Sequence, residues 1–299
     1  MRVLVTGVGG FLGPVLARVL RARGHEVAGT WVGGRPDLAG VRCFEADLRD
    51  LPRLGEVVRA ADPEVVVHLA GLSHVGESWQ RMPEYVEINV GGTANLLVAA
   101  AGRRVVLASS AEVYGAVPEA EQPIREARPP DPLTPYALSK VAAERLGLAA
   151  GAVVARCFNL VGPGQSPSFA LPAFATQLCA IARGEQEPVL RVGNLTPRRD
   201  FVHVADGAEA LALLVERGEP GGVYNVASGC APSIAEALER LLAVAGVEAR
   251  VEEDPARVRP IDLPLLRGDA SRLRALGWAP RRTLDDALAD LWAAVVCRG

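Results

Sequence analysis

Lysine is almost missing from this sequence. Of its 32 basic residues 31 are arginine, and the one lysine is Lys140. An arginine bias of that strength reflects how the gene is composed. The surviving lysine therefore carries information only if it falls where a guanidinium cannot serve. Cysteine is sparse and unpatterned. Cys43, Cys157, Cys179, Cys230 and Cys297 are odd in number and form no C-x-x-C. That excludes a disulfide framework and a zinc site, and it fits a reducing cytoplasm. Neither sign of charge dominates. With 35 acidic residues the net charge is −3, which removes any bulk electrostatic reason for nucleic acid or an anionic membrane. Long apolar runs are lacking too. The longest uncharged stretch, Cys157 to Ala182, is broken by Gly162, Pro163, Gly164, Pro167 and Pro172. It reads as a buried loop and helix rather than a membrane span. The chain opens on Arg2-Val-Leu-Val-Thr6, a β-like run without signal-peptide layout. The expectations are a cytoplasmic protein with no membrane, no nucleic-acid partner and no metal.

What is present is apolar material. At 49% hydrophobic over 299 residues, the chain can bury one large α/β core or two ordinary ones. Short β-branched runs at Val3–Thr6, Glu26–Thr30, Val41–Phe44, Val65–Leu69, Val105–Ser109 and Val153–Arg156 alternate with helical patterns. Those helical stretches are Pro14–Arg23, Leu51–Ala60, Glu84–Ala101 and Tyr136–Ala149. Such alternation predicts an α/β, doubly wound parallel sheet of the Rossmann type. The later part mixes short strands (189–192, 223–226, 250–252) with helices at 204–217, 233–245 and 283–296. The expected division is a dinucleotide-binding body over 1–156 with returning segments such as 188–226. A smaller α/β substrate-binding portion then occupies 157–187 and 227–299.

The first motif follows the first strand. Thr6-Gly-Val-Gly-Gly-Phe-Leu-Gly13 spaces Gly7, Gly10 and Gly13 as G-x-x-G-x-x-G, with Phe11 and Leu12 inside the turn. Glycine permits a tight strand-to-helix turn and close backbone approach to a pyrophosphate, while the helix N-terminus supplies N–H groups. The second strand ends Gly29-Thr30-Trp31 with no acid for ribose hydroxyls, and Arg35 lies just beyond. This favours NADP(H), whose 2′-phosphate suits an arginine, with NAD(H) possible. Asp47 and Leu48, after the third strand, are expected at the adenine, or else as a helix cap.

The second motif places Tyr136 and Lys140 four apart at a helix start, hence on one face. A phenol, with an ordinary pKa near 10, works as acid or base at neutrality only beside a positive charge. A compact ammonium supplies that charge and has donors to spare for ribose hydroxyls. Ser109-Ser110 close the fifth strand ahead of Ala111-Glu112-Val113-Tyr114-Gly115. A hydroxyl there polarises a carbonyl as charge develops on it.

With these motifs together, the chain resembles the extended short-chain dehydrogenase/reductases, the sugar-nucleotide-modifying group. Further motifs carry the resemblance: His68-Leu-Ala-Gly71, Asn89-Val-Gly-Gly-Thr93, Arg199-Asp-Phe201 with Asp206, and Tyr224-Asn-Val226. The resemblance implies Ser110, Tyr136 and Lys140 as the catalytic trio around a sugar C4, with Asn89 ordering the site. It also implies cofactor contacts at Leu69, Ala70 and Gly71. A homodimer is expected through Ala94, Leu97 and Ala101 with Ala142, Leu146 and Ala149, unless those faces pack inside the monomer.

Three reactions share this machinery: 4-epimerisation, 4,6-dehydration and 4-keto reduction. The similar dehydratases carry an acid directly after the catalytic hydroxyl, where this chain has Ala111, so dehydration is disfavoured. The stretches Phe158–Pro167, Val192–Phe201 and Arg259-Pro-Ile-Asp262 are similar to the GDP-4-dehydro-6-deoxy-D-mannose reductases. That resemblance implies a GDP-sugar substrate reduced to a GDP-D-rhamnose type product. Arg199 and Arg259 would clamp the diphosphate, with Asp262 beside them and Asn159 on a sugar or phosphate oxygen. Ser73 and Glu112 would line the sugar pocket, and His74 is given no catalytic role. The alternatives are a nucleotide-sugar 4-epimerase with tightly held NAD and a non-catalytic cofactor sensor.

Overall fold

The computed structural model describes residues 1–258 and 261–298. Strands β1 (Arg2–Thr6), β2 (Glu26–Trp31), β3 (Arg42–Glu45), β4 (Val65–His68), β5 (Arg104–Ser110) and β6 (Val153–Cys157) come first. They are followed by β7 (Asn159–Val161), β8 (Val189–Val192), β9 (Arg198–Arg199), β10 (Phe201–His203), β11 (Val223–Val226), β12 (Arg250–Glu253) and β13 (Leu265–Leu266). The helices are α1 (Gly13–Ala22), α2 (Leu51–Ala61), α3 (Met82–Tyr85), α4 (Gly92–Ala99), α5 (Pro135–Ala149), α6 (Ala170–Ala182), α7 (Val204–Arg217), α8 (Ile234–Ala245), α9 (Ser271–Ala275) and α10 (Leu284–Arg298).

Seven strands form one parallel sheet in the order β11-β6-β5-β4-β1-β2-β3. The period of two along each strand explains its two covered faces. Val3, Val5, Val65 and Val67 point into one apolar layer with Leu16 and Leu20 of α1 and Leu211 and Leu214 of α7. The intervening Leu4 and Val66 point the other way, onto Leu54 and Val57 of α2 and Leu96 of α4. Strand order reverses between β1 and β4, and their carboxyl ends open the crevice where such sheets bind ligands.

The C-terminal portion has its own core. Leu171, Phe174 and Leu178 of α6 meet Leu238 and Leu241 of α8 and Leu288 and Leu291 of α10. The segment 188–226 divides between this core and the central layers. Of the returning segment 188–226, α7 and β11 join the central layers. By contrast β8 pairs with β12, and its Leu190 and Val192 bury among the C-terminal helices. Two buried aspartates fasten the halves. Asp200 accepts from Ser228 N and Oγ, Gly229 N and Gly268 N. Asp206 accepts from the backbone N–H groups of Arg281 and Arg282 and from the Arg282 guanidinium.

The helix expected at 84–101 is divided. A π-helical turn, Val86–Gly91, separates α3 from α4. Gly91 and Gly92 are weak helix formers, and the Asn89 side chain is drawn to the Leu72 backbone, accepting from its N–H and donating to its carbonyl.

Behind the sheet edge, Arg156 of β6 pairs bidentately with Glu144 of α5, Nε to Oε1 at 3.0 Å and Nη2 to Oε2 at 2.8 Å. Both side chains are almost wholly buried, and the guanidinium stacks 4.8 Å over the Tyr114 ring. Removing one partner strands the other as a buried charge. Glu144→Ala is therefore expected to lower unfolding stability by about 3–5 kcal/mol in urea titrations. An apolar pair of equal volume at 144 and 156 recovers most of that loss. Equal stability of wild type and Glu144→Ala would contradict this account.

Candidate active site

The crevice at the carboxyl ends of β1, β4 and β5 gathers most of the expected residues. From β1 the chain turns sharply through Gly7, whose φ is +69°. A Cβ there would sit 2.9 Å from the Ala70 backbone, so only glycine lets the turn lie against the end of β4. At Gly13 a Cβ would fall 2.5 Å from the Val8 carbonyl oxygen, which is why α1 starts so close beneath the turn. Leu12 precedes α1 without any side-chain capping bond, and Pro14 occupies the first turn. The first-turn N–H groups are thus left to a ligand rather than a side chain, the arrangement a cofactor diphosphate requires. Gly10 N donates to the Gly7 carbonyl and closes the turn.

Around this turn the remaining cofactor candidates fall at different depths. Leu69 N–H donates to the Thr6 carbonyl, and Ala70 and Gly71 continue alongside. Arg35 is exposed and lines a small cavity of about 220 Å³ with Pro36, Asp37 and Cys43. Asp47 is engaged by its own neighbour, accepting the Arg49 guanidinium at 2.6 and 3.0 Å, which holds its carboxyl below the ordinary value. The cap of α2 is Asp50, whose carboxylate accepts from Arg53 N, so Asp47 is not the helix cap. Leu48 is buried, and its carbonyl accepts from the Asn95 side chain.

The trio converges at the end of β5. Thr134 caps α5 by accepting from Ala137 N at 3.1 Å, setting Tyr136 in the first turn. Tyr136 is buried, its ring edge-on to Tyr85 at 6.3 Å. One turn on, Lys140 Nζ donates to the Ala108 carbonyl at 2.6 Å, two residues before Ser110. Ser110 Oγ accepts from Glu112 N. Burial pushes the Tyr136 phenol well above its ordinary value; its interaction with the Ser110 hydroxyl opposes that rise and the Glu112 charge adds to it. Burial pulls Lys140 down to about 8, against the attraction of Glu144. The spacing of Tyr136 and Lys140 leads one to expect a phenol made acidic by its lysine. In this structure burial acts the other way and raises the phenol above its ordinary value.

A cavity of about 630 Å³ lies in the C-terminal portion, and Ser110, Glu112, Tyr136 and Lys140 are not among its lining residues. Asn159, Arg199 and Asp262 line it, as the motifs imply. Arg199 is buried and held by Asp262 Oδ1 at 2.5 Å and the Leu263 carbonyl at 2.6 Å. It is a fixed guanidinium rather than a mobile one. Arg259 lies outside the described residues. Ser73 is exposed and away from this lining, while its neighbour His74 is in it. His74 Nδ1 accepts from Glu77 N and its Nε2 meets the Ser168 carbonyl, joining two loops at the cavity edge.

Sequence reasoning missed several lining residues, among them Trp79, Gln165, Phe169 and Phe201. Gln165 stands in the Gly162-Pro-Gly-Gln165 turn, inside the Phe158–Pro167 stretch that carries the reductase resemblance but gives this residue no role. Nothing in its pattern distinguished it from a loop amide. Among the described residues no helix is long and apolar enough to cross a membrane, and no group of His, Cys, Asp or Glu could hold a metal.

Comparison with known proteins agrees with this geometry. The NAD dependent epimerase/dehydratase family matches residues 3–227. The chain is 39% identical to a GDP-6-deoxy-D-mannose reductase of Pseudomonas aeruginosa, covering 96% of this chain and 94% of that protein. Among solved structures it is similar to RMD from Pseudomonas aeruginosa complexed with NADPH, at 36% identity, full coverage of both chains and a TM-score of 0.88. It is also similar to Thermus thermophilus UDP-glucose 4-epimerase in complex with NAD, at 33% identity and a TM-score of 0.89, covering 100% of this chain and 99% of that one. The chain belongs to the NAD dependent epimerase/dehydratase family.

Proposed function

We propose that this protein reduces the 4-keto group of a GDP-4-keto-6-deoxy-hexose with NADPH, giving a GDP-D-rhamnose type product. The observation that carries the reading is the convergence of Ser110, Tyr136 and Lys140 at one strand end, with Ala111 where a dehydratase needs an acid. The 39% identical reductase supports the same direction of chemistry.

Bound NADPH supplies the hydride. Ser110 Oγ donates a hydrogen bond to the C4 oxygen and stabilises the charge growing there. Tyr136, a neutral phenol at physiological pH, transfers its phenolic proton to that oxygen as the C–H bond forms, leaving a C4 alcohol. Solvent then returns a proton to the phenolate. Lys140 keeps a positive charge near the phenolate during that interval and offers its other donors to the ribose hydroxyls. Arg199, aimed by Asp262, and Arg259 take the diphosphate. Asn159 contacts the sugar from the cavity lining, and Ser73 and Glu112, outside that lining, reach it from the loops after β4 and β5. The cofactor fits this chain through the uncapped start of α1, and Arg35 takes the 2′-phosphate that distinguishes NADPH from NADH.

Two further assignments belong to this reading. Five free cysteines suit a reducing cytoplasm. Val86 and Val98 near α4, together with Leu138 and Leu146 on α5, leave 54%, 63%, 56% and 38% of their surface exposed. Paired with a second copy they form a four-helix seam, so the protein is a homodimer. Of the faces read from sequence, Leu146 shares this seam, whereas Leu97 packs against the monomer core.

The test is direct. Purified protein given GDP-4-keto-6-deoxy-mannose should consume NADPH one for one with product, and NADH more slowly. The UDP-glucose 4-epimerase similarity supplies the second reading. Purified protein that already holds NAD and interconverts UDP-glucose and UDP-galactose without net cofactor use would replace the proposal.

A further inference from the structure

A buried chain of side-chain hydrogen bonds runs from the glycine turn to the catalytic helix, and its middle member is a residue with no role so far. His68 ends β4, directly beside Thr6 in the sheet. Its Nδ1 lies 2.7 Å from Thr6 Oγ1 and its Nε2 lies 3.1 Å from Thr93 Oγ1. Thr93 spends its hydroxyl proton on the Asn89 carbonyl, at 2.5 Å. It can therefore only accept from His68, which fixes the proton on Nε2 and leaves Nδ1 to accept from Thr6. The Thr6 oxygen in turn accepts from Ala70 N. Beyond Asn89 the path continues. Its amide donates to Ser139 Oγ at 2.9 Å, and Ser139 donates to the Tyr136 carbonyl at 2.7 Å. Each hydroxyl in this path has one acceptor, and the two amide hydrogens of Asn89 go to Ser139 and the Leu72 carbonyl, so the directions follow.

The surroundings make an imidazole an odd choice. His68 is buried in a strand whose other members are Val65, Val66 and Val67. An apolar residue would pack there without needing partners. What an imidazole adds is two polar atoms at opposite ends of one rigid ring, one reaching Thr6 and the other reaching Thr93. Thr6 leads into Gly7, where the diphosphate turn begins. Thr93 holds the π-helical turn in which Asn89 stands. We infer that His68 is a positioning residue that couples the diphosphate turn to the Asn89–Ser139–Tyr136 end of the site through two separable hydrogen bonds. It touches neither substrate nor cofactor. This inference rests on the reductase reading only for its turnover measurement.

The two arms can be cut one at a time. In His68→Asn the side-chain oxygen falls near the Nδ1 position and keeps the Thr6 arm, losing Thr93. In His68→Gln the amide nitrogen reaches the Nε2 position and keeps the Thr93 arm, losing Thr6. Leaving one buried hydroxyl without its partner is expected to change the affected step about tenfold. His68→Gln should raise the NADPH Kd about tenfold and leave kcat at saturating cofactor within about twofold. His68→Asn should do the reverse. Thr93→Val, nearly isosteric and independent of the histidine, should repeat the kcat loss, and the double variant with His68→Asn should lose no more than either alone. If both histidine variants move Kd and kcat in parallel, or Thr93→Val keeps wild-type kcat, the inference is wrong. NADPH affinity is measured without sugar. A wild type that binds NADPH but leaves the keto sugar unreduced therefore refutes the reductase reading, while the Kd contrast still decides this one.

Discussion

Tyr136→Phe is expected to lower kcat by about 10²–10⁴-fold with NADPH affinity unchanged, because one oxygen is removed and nothing else. The phenol is buried, edge-on to Tyr85, in a helix whose cap and backbone bonds do not involve its hydroxyl. Phenylalanine fills the same volume, so the fold and the glycine turn are untouched. What disappears is the proton that must reach the C4 oxygen. Water cannot replace it readily, since the phenol is buried. The proper measurement is single-turnover reduction at saturating NADPH, alongside a binding titration of NADPH alone. Turnover within a few-fold of wild type would move the proton donor elsewhere, with Ser110 the next hydroxyl in reach. A parallel loss of NADPH binding would mean instead that the substitution had disturbed the site as a whole.

The sequence was informative wherever a local pattern and a local physical need coincide. Thr6–Gly13 announced a tight turn because a Cβ at Gly7 or Gly13 would collide with backbone, and both collisions are geometric facts of a strand meeting a helix. Val3, Val5, Val65 and Val67 announced a doubly covered sheet because no half-exposed strand tolerates such runs. Elsewhere the pattern was silent. The π-helical turn at Val86–Gly91 depends on the Asn89 side chain finding Leu72, which lies far away in sequence. Asp200 and Asp206 belong to motifs that carry the family resemblance without a stated role, and both carboxylates are consumed by fastening loops. The pairing of β8 with β12 crosses some sixty residues and has no local signature. Arg199 was legible as a candidate for the diphosphate. Its burial and its fixed bond to Asp262 were not.

Lys140→Arg is expected to be as damaging as its conservative chemistry would make surprising, with kcat reduced about 10²-fold. The reason lies in the slot the side chain occupies. Lys140 Nζ reaches the Ala108 carbonyl at 2.6 Å, one helical turn from Tyr136 and close enough to Glu144 to be attracted by it. Glu144 is already fully engaged by Arg156. A guanidinium at position 140 is too wide and planar for that contact, and it sets a second arginine against one carboxylate. The pH profile separates loss of charge from loss of shape. Burial sets the wild-type ammonium near 8, and the charged form is the active one. Activity is therefore present below that pH and lost as pH rises through it, so kcat/KM should fall on an alkaline limb with a midpoint of about 8. In Lys140→Arg the charge persists, so that limb should move to higher pH while the plateau stays low. If Lys140→Arg turns over like wild type and keeps the same alkaline limb, the single lysine among 31 arginines has no part in the chemistry.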